Sequence, residues 1–126
     1  MEKGGKSITL DEFIEMFHAE DGLERSSHNR EFYYTMVGKA LRENETMETL
    51  RKAAEAGDQE KAMESSHLLK DIYHIIGLHE LYKKTNSLFE RCIKAEKANS
   101  AELLTLYAPV RQEYDRVLDA YDRIKI

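Results

Sequence analysis

Seven apolar positions near the end of the chain, Leu103, Tyr107, Val110, Tyr114, Val117, Tyr121 and Ile124, step by four and three residues without a break. That beat places all of them on one stripe of an α-helix and suits a helix packing at a shallow angle inside a bundle. Pro109 falls within the stripe and removes one backbone hydrogen bond. The beat stays in phase across it, so a kinked helix is expected rather than two helices. One proline and six glycines in 126 residues, with no alternating β-branched runs, extend the helical reading to the whole chain. The expected fold class is all-α: an up-and-down antiparallel four-helix bundle with one or two additional short N-terminal helices.

Local signals divide the chain. Residues 1–9 read as a flexible polar arm and residues 10–126 as a single domain, long enough for one core without metal or disulfide staples. Thr9 and Glu12 have capping-box spacing, flanked by Ile8 and Phe13, so a first helix starts near Leu10 and carries Phe13, Ile14 and Phe17 inward. Asp21-Gly22 is expected to end it. Ser26, Ser27 and Asn29 offer caps for a second helix over 29–43, with Phe32, Tyr33, Met36, Val37, Ala40 and Leu41 as its apolar stripe. Asn44 can cap a third, which buries Met47, Leu50 and Ala54. Gly57 supplies a left-handed terminus, and Asp58 caps a fourth helix that runs over about 59–76 and stops at Gly77. A fifth, over about 78–97, buries Leu81, Leu88, Cys92 and Ala95. Asn99 and Glu102 bracket a second capping box ahead of the last helix. The short connections force antiparallel neighbours, so either the third through sixth helices or the second with the last three form the bundle.

Charge and composition exclude several classes. The 19 basic and 24 acidic residues give a net charge of −5, which argues against a nucleic-acid partner. No apolar run approaches the roughly 20 residues needed to span a bilayer, so no membrane segment is expected. Met1–Lys6 lacks the apolar core of a signal peptide, and the single cysteine, Cys92, has no internal partner. A cytoplasmic monomer is the simplest expectation.

The chemically informative stretch is Ser66–Gly77, at the end of the fourth helix. Helical spacing puts Glu60, Glu64, His67, Lys70, Asp71 and His74 on one side. Ala62, Ser65, Leu68, Leu69, Ile72, Ile75 and Ile76 fall on the other. His67 thus faces outward from an anchored helix, with Lys70 one turn on, where an ammonium can neutralise an anion carried by the imidazole.

This stretch resembles the histidine-containing phosphotransfer (HPt) domain, whose signature runs His-x-hydrophobic-Lys-Gly, with a glycine and a hydrophobic residue further on. His67-Leu68-Leu69-Lys70 matches its first four places, and Gly77-Leu78 falls at the later position. Ala56-Gly57-Asp58 is similar to the family's turn before the histidine helix, and Ser87-Leu88-Phe89-Glu90 resembles part of the following helix. The resemblance implies a phosphocarrier of two-component phosphorelays with no catalytic machinery of its own. His67 is then the phosphoryl acceptor and donor, and Lys70 the counter-charge. Met63, Glu64, Asp71 and His74 are the partner-docking face. The implied partners are response-regulator receiver domains and hybrid histidine kinases. The chain itself is expected to need no cofactor, and magnesium belongs to the partner receiver. A neutral imidazole nitrogen is nucleophilic near pH 7, and its phosphoramidate stays labile enough to pass on. Asp71 stands where the family has glycine and brings a negative charge about 6 Å from a phosphoryl group on His67, a repulsion of about 1–3 kcal/mol. The alternative is that it hydrogen-bonds the imidazole and fixes its tautomer.

Two other readings fit the residues. One is an HPt-like helical adaptor that binds a receiver or kinase without phosphate chemistry. The other is a metal-binding bundle. His67, Asp71 and His74 lie along one face, and Glu15-x-x-His18 and Glu64-x-x-His67 repeat a di-iron spacing. Such a site needs inward carboxylates from four helices, whereas Glu64 and His67 point outward, so no metal is expected.

Overall fold

The last helix forms as one piece. Asn99 accepts a hydrogen bond from the Glu102 amide, and α7 (Ser100–Asp122) then runs through Pro109 without a break. Leu103, Tyr107, Val110, Tyr114, Val117 and Tyr121 are all buried along its stripe. The computed structural model describes residues 5–43 and 45–125, and seven helices occur among them: α1 (Leu10–Phe17), α2 (Glu20–Arg25), α3 (Arg30–Arg42), α4 (Thr46–Ala56), α5 (Gln59–Ile75), α6 (His79–Cys92) and α7. Met1–Gly4 of the expected arm and the expected Asn44 cap lie outside the described residues. The all-helical expectation is met; the described residues add only an isolated parallel β-bridge between Ile8 and Ile124.

Most starts and stops follow local chemistry. The Thr9–Glu12 capping box forms in both directions, at 3.0 and 2.8 Å. Asn29 caps α3, Gly57 ends α4 in the left-handed region at φ 69°, and Asp58 caps α5. Around Asn99 only half of the expected box appears. The Glu102 carboxylate turns instead to Arg91, whose Nε donates to it at 2.5 Å. That salt bridge lies between α6 and the start of α7 and pulls the Glu102 carboxyl below its ordinary range.

Four expectations are overturned. Three helices, not one or two, precede α4. Asp21-Gly22 does not end the first helix: α1 stops at Phe17, with His18 left-handed, and α2 runs straight through the pair. Gly22 serves a close approach, since a Cβ there would meet the Ile76 carbonyl oxygen at 2.2 Å. The fifth helix stops at Cys92, and Ala95 is exposed. The Gln59 carboxamide gathers the chain beyond Cys92: its Nε2 donates to the carbonyls of Cys92, Lys94 and Glu96 at 3.0–3.2 Å, and its Oε1 accepts from the Ala98 amide at 2.8 Å. Finally, Leu68 and Ile75, placed by spacing on the inner side of α5, are 56% and 48% exposed.

Packing explains the exposure of Ile75. α5 packs against α4 and α6, and α7 packs against both of those, so the four close into a ring around Leu50, Leu69, Leu81, Leu88, Leu103 and Val110, all fully buried. Each such side chain contributes about 1.5–3 kcal/mol of burial. α3 packs chiefly on α7 and α2. Tyr121 donates to the Tyr34 carbonyl at 2.8 Å, and Tyr114 donates to the Leu41 carbonyl. Held there, α3 leaves a groove of about 450 Å³ beside α5, walled by Met36, Ala40, Ile72 and Ile75 with Lys39 and Glu43 on its rim.

Candidate functional site

Rigidity of α5 starts on its inner side. Ser66, Leu69 and Tyr73 are fully buried, and Ser66 Oγ donates to the Ala62 carbonyl at 2.7 Å, so the hydroxyl is satisfied inside the helix. One residue on, the His67 side chain is 54% exposed. Asp58 and Arg25 secure the two ends: Asp58 accepts from the Lys61 amide at 3.0 Å, and Arg25 Nη1 donates to the His74 carbonyl at 2.7 Å.

The expected site residues divide in their surroundings. Glu64, His67, Asp71 and His74 are exposed on α5, while Met63 is half-buried against the core. Lys70 is drawn down, only 16% exposed, because α6 offers it two rings. Its Nζ lies 4.9 Å from the centre of the Phe89 ring and 5.9 Å from that of Tyr82. The same Phe89 ring lies 5.2 Å from the His67 imidazole, tilted by 35°, and Tyr82 lies 5.5 Å from the imidazole of His74. Phe89 and Tyr82 thus form an aromatic shelf under the polar face of α5.

Asp71 sits between the two functional groups. Its Oδ2 is 3.8 Å from His67 Nε2 and its Oδ1 is 3.5 Å from Lys70 Nζ. The first distance is too long for a hydrogen bond, so the carboxylate does not fix the imidazole tautomer. The second is an ion pair whose carboxylate is 56% exposed, so water weakens it. Chemically, the arrangement offers an open imidazole and a nearby ammonium to an incoming group, with a carboxylate competing for the ammonium.

The paired Glu-x-x-His segments do not converge. Glu15 and His18 lie exposed at the end of α1, Glu64 and His67 lie exposed on α5, and among the described residues no three His, Cys, Asp or Glu side chains gather to hold a metal ion. Cys92 is buried, and burial pushes its thiol pKa up, which makes it a poor nucleophile. No described helix is long and apolar enough to cross a membrane.

Two sets of residues escaped the sequence reading. Tyr82 and Phe89 are seven apart on α6, a spacing that marks a common face, but only the α5–α6 packing brings that face under His67 and Lys70. Periodicity puts Leu68 and Ile75 on the inner side of α5, yet both are exposed, Ile75 on the groove beside α3, while Ile72 is half-buried against the core. No family model, curated protein or solved structure matches this chain.

Proposed function

We propose that this protein is a histidine phosphotransfer carrier in a two-component phosphorelay, built as an up-and-down antiparallel bundle of α4–α7. His67 takes a phosphoryl group from a receiver-domain aspartate or a histidine kinase and hands it on. The observation that carries the reading is His67 itself: an imidazole open to solvent, one residue from the fully buried Ser66, with Lys70 Nζ held close by on the Phe89 ring. In the transfer, a neutral imidazole nitrogen attacks the aspartyl phosphate, an N–P bond forms as the P–O bond breaks, and the carboxylate leaves. The second ring nitrogen keeps its proton or releases it to water. Magnesium and the acidic cluster that binds it belong to the receiver. Glu64, Asp71, His74 and part of Met63 face the partner, and Leu68 and Ile75 add apolar area to that docking face. A cytoplasmic setting accompanies the proposal, since its partners' receiver and kinase domains work there.

The test is transfer from acetyl-phosphate-charged receiver domains. An acid-labile, base-stable adduct should appear on the wild type and vanish in His67→Gln. Absence of transfer to the wild type, or undiminished transfer to His67→Gln, overturns the proposal. Asp71 favours a second reading, a helical adaptor that binds a receiver or kinase without phosphate chemistry, because its carboxylate already engages Lys70. Under that reading, receiver binding persists in His67→Ala and no adduct forms.

A further inference from the structure

We infer that Phe89, flanked by Tyr82, is a positioning residue that keeps the Lys70 ammonium within reach of a phosphoryl group on His67; the inference rests on the phosphocarrier reading. A lysine on an open helix face sweeps its four-carbon stem through many rotamers. Lys70 is 16% exposed, with its Nζ 4.9 Å over the Phe89 ring. That ring also touches the imidazole, at 5.2 Å between centres, so one side chain of α6 fixes the relation between both functional groups of α5.

The choice of an aromatic ring matters chemically. Its face attracts a cation without carrying a charge, so it places the ammonium and leaves its positive charge available. A carboxylate in the same place would hold Lys70 more tightly and neutralise it, which is what Asp71 does in part from 3.5 Å. A phosphoryl dianion arriving on His67 outbids a neutral ring and recruits the ammonium by a short movement. Tyr82, 5.9 Å from Nζ, extends the shelf toward His74, so that movement has a limited range.

Phe89→Leu keeps an apolar side chain but removes the ring face, and Phe89→Tyr keeps the face. The prediction is that Phe89→Leu slows phosphoryl transfer to His67 by about 10-fold, the size of a lost cation–π hold, while Phe89→Tyr transfers like the wild type. In a Lys70→Ala background, Phe89→Leu should add nothing, because the lysine it positions is gone. A spectroscopic readout independent of phosphate accompanies these rates: the Lys70 ε-protons are shifted upfield by the ring in wild type and Phe89→Tyr, and return to ordinary positions in Phe89→Leu. Wild-type rates in Phe89→Leu, a full additional loss in the Lys70→Ala background, or unshifted ε-protons in the wild type each overturn the inference. A wild type with shifted ε-protons that accepts no phosphoryl group overturns the phosphocarrier reading instead, and leaves the shelf with a structural role only.

Discussion

An aspartate one turn beyond an exposed histidine opposes a phosphoryl group twice, by repelling it and by occupying the lysine that would receive it. Asp71 has the geometry for both, at 3.8 Å from the imidazole nitrogen and 3.5 Å from Lys70 Nζ. Because both carboxylate and imidazole are more than half exposed, water and salt screen the repulsion, so the expected brake is modest. Asp71→Asn, which removes the charge without loosening the helix, should speed transfer about 3- to 10-fold as measured by rapid quench, with the gain shrinking at high salt. Unchanged or slower transfer removes the brake. Deeper in the same helix, Tyr73 is fully buried and its hydroxyl finds no hydrogen-bond partner among the described residues. Tyr73→Phe should therefore raise stability by about 1 kcal/mol in urea unfolding. Burial holds the phenols of Tyr73 and Tyr33 and the thiol of Cys92 above their ordinary pKa values. The folded state therefore keeps these protons at pH values where the unfolded chain has lost them. Their contribution is complete below the unfolded values of about 8.5 for cysteine and 10 for tyrosine, and is lost as pH climbs beyond them. Urea midpoints should fall from about pH 8.5 upward, less steeply in Tyr73→Phe. At this scale the outward turn of His67 and the inward turn of Leu69 were legible, because a 3.6-residue period fixes both. Phe89 was not, because its role exists only across two helices.

Element ends set by neighbouring residues are legible in the sequence, and those set at a distance are not. The caps at Thr9, Asn29, Asp58 and Asn99 are bonds between residues three apart, so their spacing alone announces them. Gly22 looked like a stop because aspartate–glycine pairs usually turn the chain. Its reason lies at the other end of α5, where α2 meets the Ile76–Gly77 turn backbone to backbone. In Gly22→Ala the added Cβ would face the Ile76 carbonyl oxygen at 2.2 Å and the Tyr33 ring at 2.7 Å. The substitution gains about 1 kcal/mol of helix propensity, but backbone must shift to admit the methyl group, so a net loss of about 2–3 kcal/mol is expected. Equilibrium denaturation measures it, and a neutral or stabilised variant would show that α2 can slide away. The strain should reach Tyr33, whose hydroxyl donates to that same carbonyl at 2.7 Å. A similar long-range cause shortened α6: Gln59, at the start of α5, claims three carbonyls that a longer helix would have used. Nothing local to residues 93–97 signals it.

For the whole molecule, short connections narrow the packing to two sets of four helices without choosing between them, and the pairing of Ile8 with Ile124 leaves no sign in the sequence at all. Ile8 and Ile124 pair side by side: the Ile8 amide donates to the Arg123 carbonyl at 2.9 Å and the Lys125 amide donates to the Ile8 carbonyl at 2.8 Å. Single bridges of this kind leave no periodic pattern. Arg123 strengthens the clasp by donating to the Lys6 carbonyl at 3.1 Å. The clasp leads straight into the Thr9 capping box and so fixes where α1 begins, while Phe13, Ile14 and Phe17 anchor that helix in the core. A chain ended after Asp122 loses both bridge bonds but none of these three side chains. Global stability should drop by about 1–3 kcal/mol, the sum of two backbone hydrogen bonds and part of one isoleucine's burial. The loss should be uneven. Amide exchange should quicken through α1, whose first turn loses its tether, while the buried stretch of α5 around Leu69 keeps its protection relative to the global value. Since the ring of α4 to α7 supports His67 without help from the clasp, the shortened chain should also accept phosphoryl groups at the wild-type rate. Uniform loss of protection would mean that the clasp and the ring unfold as a single unit.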